Sequence, residues 1–118
     1  MNSAAKSVYY FGFYLLLLSA ALTVFPNILL STFMLPETNE VWIRVVGVLV
    51  FNIGILYVVM TPINSNLFLT VTVYLRAAIL LWFIVFVLIG WAPAMLIMFG
   101  VVDFAGALWT YVELKKQK

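Results

Sequence analysis

The chain has 118 residues, of which 67% are apolar and only 8% are charged, whereas soluble domains are about half apolar and about a quarter charged. These proportions exclude a soluble globular domain. The net charge of +2 is too small for a nucleic-acid surface, and the lack of cysteine and histidine leaves no thiolate or imidazole for zinc, iron-sulfur or haem ligation.

Four apolar stretches are long enough to cross a membrane, since about 20 helical residues span the ~30 Å hydrocarbon layer. The predicted spans are approximately 7–34, 41–60, 67–90 and 93–114. Short linkers between them make neighbouring helices antiparallel. We therefore predict an all-α fold, an integral membrane four-helix bundle with up-down-up-down topology that forms one transmembrane domain over residues 1–118.

Prolines and small polar residues punctuate these spans. Pro26 is expected to bend the first span, and Asn27 to help satisfy the freed backbone. A signal peptide is the alternative for this stretch, but its apolar run is too long for one. The linker 61–66 offers candidate N-caps, and Pro93 is expected at the start of the fourth helix.

Lysines at the two ends of the chain predict its orientation. They are Lys6, Lys115, Lys116 and Lys118. By the positive-inside rule both termini lie in the cytoplasm, which places Glu37 and Glu40 outside, although Arg44 near the outer turn argues weakly against this.

Two opposite charges fall at similar depth in the third and fourth spans. Arg76 lies about 14 residues before the last turn and Asp103 about 12 after it, a difference in height of only ~3 Å. An ion pair lets both charges exist in the apolar interior, because each satisfies hydrogen bonds of the other. We therefore expect Arg76 and Asp103 to pair.

The same count places Asn52 at that depth, and Asn27 is expected to join it. One residue from each helix would then form a polar layer near the bilayer midplane: Asn27, Asn52, Arg76 and Asp103. Arg44 stands apart near the outer end of the second span, where Glu40, Glu37 or a lipid phosphate is in reach.

Small residues predict where helices approach closely. Gly100 and Gly106 share a helical face with Asp103 and Thr110, and Gly47 with Gly54 are expected to act similarly on the second span.

Three roles are open for the polar layer. It locks the bundle's register, lines a cavity for a proton, an ion or the polar head of a lipid-soluble molecule, or pairs across a subunit interface. The first role describes a non-catalytic subunit or scaffold. The second describes an oligomeric transporter or channel protomer that uses Asp103 as a proton or cation site. An enzyme is the least favoured alternative, because one carboxylate and one arginine, without a nucleophile or a metal, are too few groups for most active sites.

The motifs Arg44-x-x-Gly47 and Gly100-x-x-Asp103-x-x-Gly106, with Gly54 and Arg76 between them, resemble the DoxX-like group of small four-helix bacterial membrane proteins. The resemblance implies a multi-pass protein of the bacterial inner membrane. Independently of it, the subunit-interface and oligomer hypotheses make a second copy or a membrane complex the candidate partner. Some members accompany quinone-linked oxidoreductases, so a bound lipid or quinone is the implied ligand. No catalytic residue carries over, and no cofactor is expected on these side chains. The glutathione-using four-helix membrane enzymes fit less well, because their second span is rich in Glu and Asn.

Overall fold

The computed structural model describes residues 1–116 and is all-helical over that range. Its helices are α1 Ser3–Val24, α2 Pro26–Thr32, α3 Trp42–Met60, a 3₁₀ helix Thr61–Ile63, α4 Asn66–Leu88 and α5 Leu96–Lys116. Four of the five α-helices, all but α2, are long and apolar enough to cross a membrane, and most side chains in each are not buried within the chain. The prediction of four helices that are long and apolar enough to span a membrane is confirmed, although the bounds of the first and fourth differ from those predicted. Lys118, used above for orientation, lies outside the described residues.

The first predicted span is two helices instead of one bent helix. Phe25 leaves the helical conformation with φ −127° and ψ 53°, and Pro26 begins α2. Proline lacks an N–H and disfavours the helical conformation in the residue before it, yet it fits the first position of a new helix. The predicted range 7–34 is therefore corrected to α1 alone, whose 22 residues span ~33 Å.

The fourth helix also begins later than predicted. Pro93 does not start α5. Its carbonyl accepts the Leu96 N–H at 3.1 Å, and two further bonds of the same spacing, from Ile97 and Met98, lead into the first turn of the helix. At the other end of this connection, Gly90 has φ +84°. The Gly90 N–H donates to Val87 and the Trp91 N–H to Phe86, a glycine-ended helix terminus that satisfies the last carbonyls of α4.

The chain divides into two compact units. One contains Met1–Val8 with the chain from Thr61 onward, and the other contains Tyr9–Met60. We call them the α4–α5 unit and the α1–α3 unit.

In the α4–α5 unit the two long helices lie very close together. A Cβ added to Gly100 would lie 3.0 Å from the Cα of Leu80, so a larger residue there would have to push the α4 backbone away. Ser65, one of the expected caps, accepts the Phe68 N–H at 3.2 Å and begins α4. Asn64 accepts the Asn2 N–H at 2.9 Å, which joins the start of the chain to this unit.

In the α1–α3 unit two glycines face each other. A Cβ on Gly54 would lie 3.1 Å from the carbonyl oxygen of Gly12, and a Cβ on Gly12 would lie 3.2 Å from that of Gly54. A Cβ on Gly47 would lie 3.0 Å from the backbone nitrogen of Thr23. Gly47 and Gly54 thus mark the face of α3 that contacts α1.

Candidate functional site

Arg76 is a buried charge in the middle of an apolar helix. Its side chain is only 3% exposed. Its Nε donates to the Thr72 carbonyl at 3.2 Å, and its Nη2 donates to the hydroxyls of Thr72 at 3.3 Å and Thr110 at 2.8 Å. The guanidinium therefore joins α4 to α5 through neutral hydroxyl groups.

Ser7 extends this contact to the beginning of α1. Its hydroxyl lies 2.6 Å from that of Thr110 and donates to the Ala4 carbonyl at 2.7 Å. The Thr110 hydroxyl also lies within donating distance of the Gly106 carbonyl, at 3.2 Å. A hydroxyl has one proton, and either Ser7 or Thr110 can be the donor in the bond between them, while Arg76 donates to Thr110. We call Ser7, Thr72, Arg76 and Thr110 the Arg76 cluster; all four are buried.

Arg76 and Asp103 attract each other electrostatically, but they do not form the expected direct pair. Among residues 1–116 the Asp103 carboxylate has no hydrogen bond and no salt bridge. The main chains do lie at similar height, since Arg76 precedes Leu80 by one turn and Asp103 follows the Gly100 contact. Long helical side chains point toward their own N-terminus. The Arg76 side chain therefore points back toward Thr72, and from there it reaches Thr110 instead of Asp103.

The two asparagines of the predicted polar layer have different surroundings within the α1–α3 unit. Asn27 follows the break at Phe25, and its side-chain oxygen accepts the Thr38 N–H at 2.9 Å, so it fastens the loop after α2. Asn52 is exposed on α3. Both asparagines belong to the α1–α3 unit, whereas Arg76 and Asp103 belong to the α4–α5 unit, so the four-residue polar layer stays a prediction.

Arg44 forms a hydrogen bond with a group other than those expected from the sequence. Its Nη1 donates to the carbonyl of Thr23 in the last turn of α1, instead of to Glu37 or Glu40. Carbonyls in a final helical turn lack intrahelical donors. Arg44 therefore caps α1 next to Gly47.

From the sequence we do not predict that Ser7, Thr72 and Thr110 belong to a site. We assign no role to Ser7 or Thr72, and we place Thr110 only on the helical face that carries Asp103. Thr72 lies four residues before Arg76, and this spacing was the available signal, because it places a hydroxyl under the arginine side chain.

A groove opens where α4 begins and α5 ends. It has a volume of about 460 Å³. Its lining residues are Asn66, Thr70, Val73, Tyr74, Tyr111, Leu114 and Lys115, and we call it the Lys115 groove. The Lys115 ammonium lies 5.2 Å from the centre of the Tyr111 ring. The groove thus combines apolar walls, hydroxyl groups and one positive charge.

Compared with protein-family models, curated proteins and solved structures, the chain matches none of them. Among residues 1–116 no three Asp or Glu side chains are grouped as a metal site would require.

We predict that Thr110→Val lowers the free energy of unfolding by about 2 kcal/mol, because it leaves a buried charged donor without its closest acceptor. Thr110→Ser keeps the hydroxyl and is expected to lose less than half as much. Unfolding of the purified protein in mixed detergent micelles, followed by tryptophan fluorescence, measures both.

The matched control is Thr70→Val, the same change at an exposed position of α4, and its expected effect is within about 0.5 kcal/mol. Equal losses for Thr70→Val and Thr110→Val would show that the Arg76 cluster does not stabilise the fold.

Proposed function

We propose that this chain is a non-catalytic multi-pass subunit or scaffold of the cell membrane that binds an anionic phospholipid in the Lys115 groove. The observation that supports a non-catalytic role is the burial of Arg76 among hydroxyls from three helices. A charge held in this way serves the architecture of the protein and is not free to act on a substrate.

The proposed architecture is a four-helix bundle with up-down-up-down topology and both termini in the cytoplasm. The lysines at the chain ends support this orientation through the positive-inside rule. The bacterial inner membrane and the DoxX-like relationship remain predictions from the resemblance of short motifs. A membrane complex partner is likewise part of the proposal.

The chemistry of the Lys115 groove supports a phospholipid as its occupant. Lys115 and the positive end of α4 at Asn66 attract a phosphate group. Val73 and Leu114 offer apolar surface to an acyl chain. Tyr74 and Tyr111 have the amphipathic side chains that are enriched at the membrane-water interface. An anionic lipid satisfies all three features at once.

We predict that phosphatidylglycerol raises the thermal stability of the purified protein more than phosphatidylcholine does. At ten times its dissociation constant a ligand contributes about 1.4 kcal/mol. Lys115→Gln is expected to abolish the difference between the two lipids, because it removes the charge that selects the phosphate.

Lys116→Gln is the matched control, since Lys116 is the next residue, is 67% exposed and pairs with Glu113 at 3.4 Å. It is expected to keep the preference for phosphatidylglycerol. Loss of that preference in both variants would indicate general surface charge and contradict a groove. Stabilisation by a quinone that persists in Lys115→Gln would replace the lipid by a ligand with a neutral head.

A specific observation favours a second candidate, the oligomeric transporter or channel protomer. Asp103 is half-buried in α5, without a hydrogen bond or salt bridge within residues 1–116. Intramembrane carboxylates commonly mark proton or ion pathways. On this alternative Asp103 binds the proton or cation, and Arg76 tunes its charge.

Proton flux into liposomes that contain a pH-sensitive dye separates the two candidates. For a scaffold we expect the same flux in protein-containing and empty liposomes, and no change with Asp103→Asn. A flux that Asp103→Asn abolishes, and that Glu113→Gln on the same helix leaves intact, would establish transport and contradict the scaffold.

A further inference from the structure

Asn52 is a polar side chain in an unfavourable position. It lies near the middle of α3, it is exposed, and within residues 1–116 its amide has no hydrogen-bond partner. Hydrocarbon offers no hydrogen bonds, so an amide left there costs free energy unless another protein group satisfies it. No group within residues 1–116 satisfies this amide, so we look for its partner outside them.

Asn52 points away from the face that α3 uses within its own unit. Gly47 and Gly54 mark the side that contacts α1. At ~100° per residue, Asn52 lies about 160° around the helix axis from Gly54, on nearly the opposite side. This outer side is therefore unoccupied within the α1–α3 unit.

The residues above and below Asn52 form an exposed aliphatic line. Val45 and Val59 lie seven residues before and after it and are 40% and 62% exposed. A repeat of seven places side chains on one seam, where two parallel helices pack side by side. We call Val45, Asn52 and Val59 the outer seam of α3.

We propose that the outer seam binds the same seam of a second copy of this chain. Copies of one membrane protein share one orientation, so their α3 helices run parallel and a twofold axis brings Asn52 opposite Asn52. A carboxamide both donates and accepts, so two of them form reciprocal hydrogen bonds. β-Branched residues at positions seven apart, interrupted by one asparagine, are typical of two-stranded parallel packing.

The choice of a second copy rests on this self-complementarity. An acyl chain covers Val45 and Val59 but provides no donor or acceptor for Asn52. A second Asn52 provides both at the same height in the membrane. This inference goes beyond the proposed function and needs only that α3 spans the membrane.

Disulfide cross-linking tests the seam directly, because the chain has no cysteine of its own. In oxidised membranes Val59→Cys is expected to give a covalent dimer in high yield. Ile53→Cys, also exposed at 44% but about 100° away from Asn52, is expected to give little. Equal yields at the two positions would contradict the seam.

Energy transfer between two fluorescently tagged copies in liposomes tests the role of the amide. Asn52→Leu is expected to weaken association about tenfold, or about 1.4 kcal/mol, while Asn52→Gln keeps most of it. Ile53→Leu is the matched control and should not change it. Unchanged transfer in Asn52→Leu, or stoichiometric binding of a different protein at the seam without any dimer, would overturn the proposal.

A failure of the proposed dimer can be distinguished from a failure of the proposed lipid site. The measurement is the thermal stability of the protein in detergent micelles that each hold one copy. Asn52→Leu should leave it unchanged, together with the preference for phosphatidylglycerol, because Asn52 is exposed on α3 and does not line the Lys115 groove. Loss of lipid preference would bear on the Lys115 groove, and loss of association on the outer seam.

Discussion

A guanidinium in an apolar span must be surrounded by hydrogen-bond acceptors, and the α4–α5 unit is arranged around that requirement. Arg76 obtains acceptors from Thr72 on its own helix and Thr110 on the next, and Ser7 completes the chain from the start of α1. Gly100 lets α5 approach the backbone of α4 at Leu80, and Arg76 joins the same two helices through Thr110. Small residues and buried polar bonds of this kind hold helices together where lipid provides no hydrophobic drive for association.

The remaining polar groups of the spans differ in how far the chain itself satisfies them. Arg44 and Asn27 bond to backbone groups at helix ends and loops, so both support the fold. Asp103 and Asn52 have no such bond within residues 1–116. The polar groups that are bonded within the chain stabilise the fold. The polar groups without such a bond, together with the Lys115 groove, are where we propose that ligands or other chains bind.

Much of the fold could be predicted from the sequence. The length of each apolar stretch indicates a helix that can span the membrane, and Ser65 is a residue type that commonly caps the start of a helix. Most of the site could not. Counting residues from a turn gives the height of a Cα atom along the membrane, which is why Arg76 and Asp103 were placed at one level. It gives neither the direction of a long side chain nor the rotation of a helix, so the partner of Arg76 and the outward position of Asn52 were missed. Pro26 was recognised as a bend, but only the conformation of Phe25 shows a complete break.

The most direct test of this account is a pair of double-mutant cycles on the free energy of unfolding in micelles. One cycle combines Arg76→Met with Thr110→Val, and the other combines Arg76→Met with Asp103→Asn. We predict a coupling energy above about 1 kcal/mol for Arg76 with Thr110 and less than half of that for Arg76 with Asp103. A larger coupling for the Arg76 and Asp103 cycle would contradict it, and would make the ion pair the interaction that holds the two helices together.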